Sequence, residues 1–185
     1  CAIWFRPRIP AGKARRLGFI ERLFGRRRIR VLTRPGFLFG CDQTDWLQRN
    51  LLCNRIHEQE VTDRLEVSLL ADDIFFDIGA NTGYFSCLAL SCGVLGVTAF
   101  EPDPDTCNVM DGQRRLNGWD DATLSIVPMG LSDESGHQQL IRGSDSGESG
   151  FGDWPHREAV GKIEVEVITL DEYCRQVGRY PSVMK

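Results

Sequence analysis

The length and composition of this chain are those of one globular domain. It has 185 residues, 42% of them hydrophobic and 26% charged, with a formal net charge of −4, which is ordinary for a soluble protein. No apolar run approaches the roughly 18 residues of a transmembrane helix, and the basic N-terminus lacks the apolar core and cleavage site of a signal peptide. The seven cysteines are scattered without a Cys-x-x-Cys pair, which argues against a zinc site and is typical of reduced thiols in a cytoplasmic protein.

Residues 1–34 form a basic arm. They hold ten arginines and Lys13 against the single acid Glu21. Apolar residues recur near helical spacing at Leu17, Ile20, Leu23 and Phe24. Such a helix could dock its apolar stripe on the domain and leave its arginines in water, or it could bind a membrane surface or nucleic acid. Arginine outnumbers lysine throughout the chain, which favours the docked helix.

Residues 35–185 are predicted to form one domain in which helices and strands alternate. Apolar spacing predicts helices over 44–55, 58–70, 82–91, 104–116 and 170–176. Apolar or alternating runs predict strands over 31–39 (broken at Pro35-Gly36), 73–77, 94–101, 123–129, 137–142, 163–168 and 181–185. The Gly- and Ser-rich residues 143–152 predict a mobile loop. The alternation predicts an α/β fold with a doubly wound, mainly parallel sheet and a short antiparallel insert.

Two helix starts carry capping signals. Pro104 follows Asp103, which is the order expected for a helix N-cap and its first residue. Thr169 precedes the short helix over 170–176, and Glu172 stands three residues later, so we expect a reciprocal capping box there.

The segment Phe76-Asp-Ile-Gly-Ala-Asn-Thr-Gly-Tyr is the most informative for function. An apolar strand ends in Asp77, a glycine-spaced loop follows, and an apolar helix begins after it. In this arrangement backbone N–H groups at a helix N-terminus converge on a ligand. Gly79 and Gly83 allow a tight turn and close approach to the main chain.

The spacing of this loop distinguishes two cofactor classes. A dinucleotide loop has a glycine where this chain has Asp77, and this carboxylate would repel a pyrophosphate but attract a cationic ligand. The next predicted strand ends in Glu101, about 20 residues further on, where a carboxylate can accept both hydroxyls of a ribose. A nicotinamide-dependent oxidoreductase is therefore the weaker alternative.

Several motifs together resemble those of one known family. Asp77-Ile-Gly-Ala-Asn-Thr-Gly-Tyr is followed by Ala99-Phe-Glu-Pro-Asp-Pro, Arg115-Leu-Asn-Gly, Gly130-Leu-Ser-Asp-Glu-Ser-Gly and Val167-Ile-Thr-Leu-Asp-Glu-Tyr. This ordered set, over about residues 55–185, resembles the FkbM-type family of class I S-adenosylmethionine-dependent methyltransferases. The resemblance implies a Rossmann-like sheet of class I methyltransferase type. In that family Lys185 would begin a Lys-Ile-Asp-Val-Glu-Gly motif, so we expect this chain to be the N-terminal part of the domain, cut at the fourth parallel strand.

The resemblance also implies the cofactor, S-adenosyl-L-methionine, and the residues that bind it. Asp77 would lie near its ammonium group and Glu101 on its ribose. The other expected cofactor contacts are the loop residues Gly79, Ala80, Asn81, Thr82 and Gly83, and the candidate adenine walls Pro102, Leu131 and Ser132. No metal ligand is expected.

The residues that would handle the methyl acceptor are less determined. His156, with Asp153 and Trp154 beside it, follows the predicted loop and could act as a general base. Lys185 would point toward the site by analogy with the family. Other polar residues that could face the site are His57, His137, Glu58 and Glu60.

The sequence therefore predicts a cytoplasmic S-adenosylmethionine-dependent methyltransferase. The resemblance favours transfer to a hydroxyl oxygen of a sugar or secondary metabolite. No nucleic-acid partner is expected, and peripheral membrane contact stays open in case the acceptor is a lipid-linked sugar. The alternative from another class is a non-catalytic module that binds nucleic acid or a membrane surface through the basic arm.

Overall fold

The computed structural model describes residues 28–144, 146–152 and 159–185. Most of the basic arm, with the apolar positions of its expected helix, lies outside the described residues. The same holds for His156 and its neighbours Asp153 and Trp154.

Five helices and ten strands are described. The helices are α1 (Trp46–Asn54), α2 (Gln59–Ser68), α3 (Tyr84–Ser91), α4 (Pro104–Leu116) and α5 (Leu170–Val177). The strands are β1 (Arg28–Leu32), β2 (Leu38–Asp42), β3 (Ile74–Ile78), β4 (Gly96–Phe100), β5 (Leu124–Val127), β6 (Gly130–Leu131), β7 (Gly136–Gly143), β8 (Gly150–Phe151), β9 (Ala159–Ile168) and β10 (Val183–Met184). No described helix is long and apolar enough to cross a bilayer.

The central element is a parallel sheet with the strand order β10–β3–β4–β5. Phe76 pairs with Thr98 on one side and with Met184 on the other. Strand β4 is buried along its whole length, as expected for a parallel strand that is covered on both faces. The predicted α/β fold with a Rossmann-like parallel sheet is confirmed.

Each face of this sheet has its own apolar core. On one face Phe75 packs with Leu88 of α3 and Met110 of α4. On the other face Phe76 and Phe100 pack with Tyr173 of α5, and the Phe100 and Tyr173 ring centroids are 4.7 Å apart in an edge-on arrangement. The period-2 alternation of β3 therefore sends neighbouring phenylalanines into opposite cores.

An N-terminal hairpin of β1 and β2 packs on helix α4. The two strands pair in antiparallel register, and side-chain amides of α4 bind the second edge of β2. Gln113 accepts from Gly40 N (2.7 Å) and donates to Gly40 O (2.9 Å). Asn117 makes the same pair of bonds with Leu38, at 2.9 and 2.8 Å. The sequence places residues 28–34 in the arm, but the structure shows them as part of this hairpin. The boundary of the remaining arm stays a prediction.

A second sheet, in the order β6–β9–β7–β8, contains the antiparallel insert. Strands β7 and β9 pair over most of their length, and β6 joins β9 in parallel. The prediction of a mobile loop over 143–152 missed the short strand β8 within that range. Phe151 pairs with Leu140 and Gly150 with Ile141, because the edge of β7 offers backbone partners that local composition does not reveal.

Candidate methyl-donor site

The candidate site lies where strands β3 and β4 end, at the carboxyl edge of the parallel sheet. The loop over 79–83 follows β3, and residues 101–103 follow β4. Ala80 N donates to Phe100 O at 2.9 Å, which attaches the first loop to the end of the second strand. Ligands of open α/β sheets bind at this edge, where neighbouring loops diverge.

The two glycines of the loop have different roles. Gly79 has φ 68° and Gly83 has φ 86°, and both values lie in the left-handed region that favours glycine. A Cβ on Gly79 would have no atom of the described residues within 4 Å, so this position borders open space that a ligand can approach. A Cβ on Gly83 would lie 2.6 Å from Met110 Cγ, so this glycine allows α3 and α4 to pack closely. Ligand contact by Gly83 remains a prediction.

Glu101 connects the two loops. Its Oε2 accepts the N–H of Asn81 at 2.8 Å, and its Oε1 accepts the N–H of Asp103 at 2.9 Å. Burial raises the pKa of Glu101 to about 7, against the effect of these two N–H groups, and the nearby Asp103 and Asp77 charges raise it further. Each carboxylate oxygen has a second lone pair, so Glu101 can still accept hydrogen bonds from a ligand.

Asp77 lies fully buried beneath the loop. Its Oδ2 accepts from Ser86 Oγ at 2.6 Å, whereas its Oδ1 has no hydrogen-bond partner among the described residues. Burial raises the pKa of Asp77, and the Lys185 ammonium and the Ser86 hydroxyl oppose that rise. Ser86 is a contact that the sequence did not single out. Its place in the first turn of the helix after the loop is the signal that could have identified it.

These groups fit a ligand that carries an ammonium group and hydroxyls. Within the described part of the chain, Asp77 Oδ1 and Asn81 Oδ1 are buried acceptors without a donor. Such atoms are rare in folded proteins because leaving them unpaired costs roughly 1–3 kcal/mol each. A cation and hydroxyl groups would satisfy them and the free lone pairs of Glu101, which is the donor set that S-adenosylmethionine offers.

The remaining predicted cofactor residues lie in the two loops and in or directly after β6. Thr82 and Pro102 are buried within the two loops. Leu131 packs on the core around Phe76. The Ser132 hydroxyl accepts from Gln138 Nε2 at 2.7 Å and donates to Asp133 at 3.0 Å, so it is engaged within the insert. Adenine contacts by Pro102, Leu131 and Ser132 remain predictions.

Lys185 lies at the same edge, at the end of β10. Its Nζ is 4.4 Å from the centroid of the Phe85 ring. His57 lies nearby, with its ring centroid 5.7 Å from that of Phe85 and 5.4 Å from that of Tyr84. His57 Nε2 is 3.3 Å from Glu58 Oε1. Because α2 and α3 both begin at this edge, they bring His57 and Glu58 beside the loop, where the sequence had named both as residues that could face the site.

Glu58 has a backbone conformation that is unusual for a residue with a side chain. It precedes α2 with φ 40° and ψ 68°, and its side chain makes no capping hydrogen bond among the residues that the structure describes. Its hydrogen bond with His57 lowers the pKa of Glu58, and Lys185 lowers it further, while burial opposes them. Strained backbone of this kind is more frequent at functional sites. Glu60 is exposed in the first turn of α2, and His137 is exposed on β7 opposite Glu166.

A cleft of about 260 Å³ lies beside the loop. It is lined by residues of the hairpin and α1, of the loop, of α4 and of the insert: Arg28, Asp42, Thr44, Asp45, Gln48, Thr82, Asp105, Thr106, Val109 and Ser144. No group of His, Cys, Asp and Glu side chains in the described ranges has the arrangement of a metal site.

The parallel sheet, the loop after β3 and the acid after β4 occur together in class I methyltransferases, whose methyl donor is S-adenosylmethionine, and also in dinucleotide-binding folds. The sequence model of the methyltransferase FkbM domain matches residues 77–182, more than half of this chain. The chain therefore belongs to the FkbM methyltransferase family, as its motifs predicted. This assignment favours a methyltransferase over a nicotinamide-dependent oxidoreductase.

Solved structures of methyltransferases are similar to this chain. They include "A putative sam-dependent methyltransferase from Streptococcus mutans" (16% identity, TM-score 0.44, covering 55% of this chain and 26% of that one). The SAM-dependent methyltransferase from Agrobacterium tumefaciens has 12% identity and a TM-score of 0.40, with coverages of 56% and 33%. The ribosomal protein L11 methylase from Lactobacillus delbrueckii has 15% identity and a TM-score of 0.35, with coverages of 42% and 40%. This chain thus spans less than half the length of these proteins. No curated protein matches its sequence.

Proposed function

We propose that this chain binds S-adenosylmethionine between the loop over 79–83 and Glu101, for methyl transfer to a hydroxyl oxygen of a sugar or secondary metabolite. The observation that carries the proposal is the carboxylate of Glu101. It is buried, bridges two loops through backbone N–H groups, and keeps lone pairs for a ligand. A buried acid that only tied two loops together would not need Gly79 beside open space and two buried acceptors without donors.

The residues of the chain would bind and orient the methyl donor. Bound S-adenosylmethionine supplies an electrophilic methyl group. Glu101 would accept the two ribose hydroxyls, and Asp77 would direct its unpartnered oxygen toward the cationic amino-acid part. The main chain at Gly79 would lie against the ligand. Alignment of this kind is the main contribution that a protein makes to a displacement reaction.

An acceptor hydroxyl must also lose its proton. The catalytic residues predicted from the sequence are His156, as a general base, and Lys185, and only Lys185 lies within the described residues. Its ammonium group, over the ring of Phe85, suits holding an acceptor oxygen. We add His57 as a candidate base because it lies beside Glu58 and against the first turn of α3.

The donor site is tested by calorimetric titration of S-adenosylhomocysteine and NAD. We expect the wild-type chain to bind the thioether and not NAD. Glu101→Gln should weaken thioether binding about 30-fold or more, since it removes charge-assisted hydrogen bonds to the ribose. Asp77→Asn should weaken it as well, and Asp63→Asn, a carboxylate on the outer surface of α2, is the matched control. Unchanged affinity in both site variants, or preferred binding of NAD, would contradict the proposal.

The hydroxyl acceptor is tested separately, with labelled S-adenosylmethionine and panels of glycosides, polyols and phenols. Label transfer to nitrogen or carbon acceptors alone would contradict O-methylation. Peripheral membrane contact through the basic arm and the cytoplasmic location both stay predictions. A steep salt dependence of binding to anionic vesicles, lost on removal of residues 1–27, would support the membrane contact.

A further inference from the structure

Arg142, on strand β7 of the antiparallel insert, contacts the segment that follows β4. Its Nη2 is 2.6 Å from Asp103 Oδ1 and 2.9 Å from Asp105 Oδ2. The two pairs differ in environment, because the Asp103 side chain is 7% exposed and the Asp105 side chain is 77% exposed. The Arg142 side chain is itself 29% exposed, so of the two pairs the one with Asp103 is half-buried and is screened less by water and salt.

Asp103 is in turn part of the structure around Glu101. Its Oδ1 accepts the N–H of Asp105 at 2.9 Å, which caps α4, and its own N–H donates to Glu101 Oε1. The other oxygen of Glu101 accepts from Asn81 in the glycine loop. One continuous chain of contacts thus leads from Arg142 through Asp103 to Glu101 and on to the loop.

The negative charges around Glu101 and Asp103 explain why a guanidinium beside Asp103 stabilises this series of contacts. Glu101 faces two other carboxylates, Asp77 and Asp103, and their negative charges disfavour its ionised form. Arg142 offsets the charge of Asp103 and contacts Asp105 with the same group. Without this cation, Asp103 would be a buried acid beside a second acid, and the segment that presents Glu101 would lose its most buried ion pair.

We propose that Arg142 is a positioning residue, through which the antiparallel insert sets the affinity of the site for the ribose of the methyl donor. It holds Asp103, and Asp103 holds the ribose-binding carboxylate of Glu101. Arg142 does not itself contact the ligand in this scheme. The proposal rests on the proposed function, since it assumes that Glu101 binds the ribose.

The test compares Arg142→Gln with wild type in titrations of S-adenosylhomocysteine and of its 2′-deoxyribose analogue. We expect affinity for S-adenosylhomocysteine to fall about tenfold, within the range of couplings between residues of one hydrogen-bond network. The analogue should lose much less, because it lacks one hydroxyl that Glu101 would bind. The ratio between the affinities for S-adenosylhomocysteine and for the 2′-deoxyribose analogue should therefore be smaller in Arg142→Gln than in wild type. A merely structural role of Arg142 would not change this ratio.

Two further variants complete the design. Arg34→Gln is the matched control, since Arg34 pairs with Asp63 and Glu66 on the outer surface and its loss should leave both affinities within about twofold of wild type. Arg142→Gln placed in a Glu101→Gln background should cause little additional loss, because both changes act on one contact. Arg142→Lys keeps the charge but not the planar fork and should lie between wild type and Arg142→Gln.

The outcomes separate the two proposals. If a folded wild-type chain does not bind S-adenosylhomocysteine, the proposed function fails. If wild type binds, three results would overturn the role of Arg142. The first is that Arg142→Gln has wild-type affinity, and the second is that it loses affinity for both ligands by the same factor. The third is that it lowers affinity in the Glu101→Gln background as much as it does in wild type. If Arg142→Gln does not fold, Arg142→Lys decides: an unchanged preference for the full ribose overturns the role, and a narrowed preference supports it.

Discussion

The N-terminal hairpin and the carboxyl edge of the parallel sheet differ in whether their buried polar groups have hydrogen-bond partners. On the hairpin, Gln113 satisfies both backbone groups of Gly40, and Gln48 accepts from the N–H of Asp42 at 2.7 Å. At the sheet edge, Asp77 Oδ1 and Asn81 Oδ1 have no partner among the described residues. A completed network stabilises the folded chain by itself, whereas buried acceptors without donors lower its stability unless a ligand supplies the donors. The comparison therefore distinguishes a structural region from the proposed binding region.

Substitutions of the two loop glycines test this distinction most directly, and we expect them to have the largest effect on stability. Gly83→Ala should destabilise the fold by about 3 kcal/mol, since the new Cβ would overlap Met110 and adopt an unfavourable positive φ. Gly79→Ala should cost only about 1 kcal/mol, since its Cβ meets open space. Urea unfolding measures both values.

Ligand binding should separate the same two variants in the other direction. Folded Gly79→Ala should lose affinity for S-adenosylhomocysteine, because its Cβ occupies the space that the ligand approaches. Equal stability losses for the two variants, or full affinity in Gly79→Ala, would show that the two glycines do not have different roles.

The next effect concerns the hairpin. Gln113→Ala leaves the N–H and C=O of Gly40 without partners and should destabilise the chain by about 2 kcal/mol. Its affinity for S-adenosylhomocysteine should remain that of wild type, because both side-chain hydrogen bonds of Gln113 that the described residues show are to Gly40 of the hairpin. Thermal unfolding and calorimetry measure the two quantities. A loss of affinity without a loss of stability would remove the distinction between the two regions.

The smallest effect is a dependence of stability on pH that comes from Glu101. Burial raises the pKa of Glu101 from 4.5 to about 7, so between these values the folded chain binds more protons than the unfolded chain. Its contribution therefore falls as pH rises, by about 1 kcal/mol between pH 6 and 7.5. Glu101→Gln should lack this slope in urea unfolding at a series of pH values.

Affinity for S-adenosylhomocysteine should change with pH in the opposite sense. Hydroxyl groups of the ribose favour the ionised carboxylate, so binding should strengthen as pH rises through about 7. Wild type and Glu101→Gln with the same pH profile of binding would argue that Glu101 does not accept the ribose hydroxyls.

Local sequence predicted most helices and strands, and the reasons are visible at their ends. Asp103 caps α4 through the N–H of Asp105, and Pro104 is its first residue, as expected. Thr169 caps α5 by accepting from Glu172 N at 3.2 Å. The prediction that the Glu172 side chain would accept the N–H of Thr169, the reciprocal bond of a capping box, was wrong. Ser135, from the turn before β7, accepts the N–H of Thr169 and donates to Glu172, so a residue distant in sequence replaces the local partner.

The same division applies to the site. The sequence allowed us to recognise Asp77, the glycine loop and Glu101, because each lies where a predicted strand ends and a turn or helix begins. His57, Ser86 and Arg142 could not be given roles in this way. His57 reaches the loop only because α2 packs beside α3, and Arg142 only because the antiparallel insert folds against the segment after β4.

The sequence by itself determined the family, the alternation of strands and helices, and the two acids that end neighbouring strands, because each depends on local spacing and side-chain chemistry. Tertiary structure alone decided which groups meet at the sheet edge. Pairing of β10 with β3 brings Lys185 beside Asp77, and the contact of Arg142 with Asp103 joins residues 39 positions apart. The packing of helices and sheets sets such contacts, because the energy that selects them comes from burial over the whole domain.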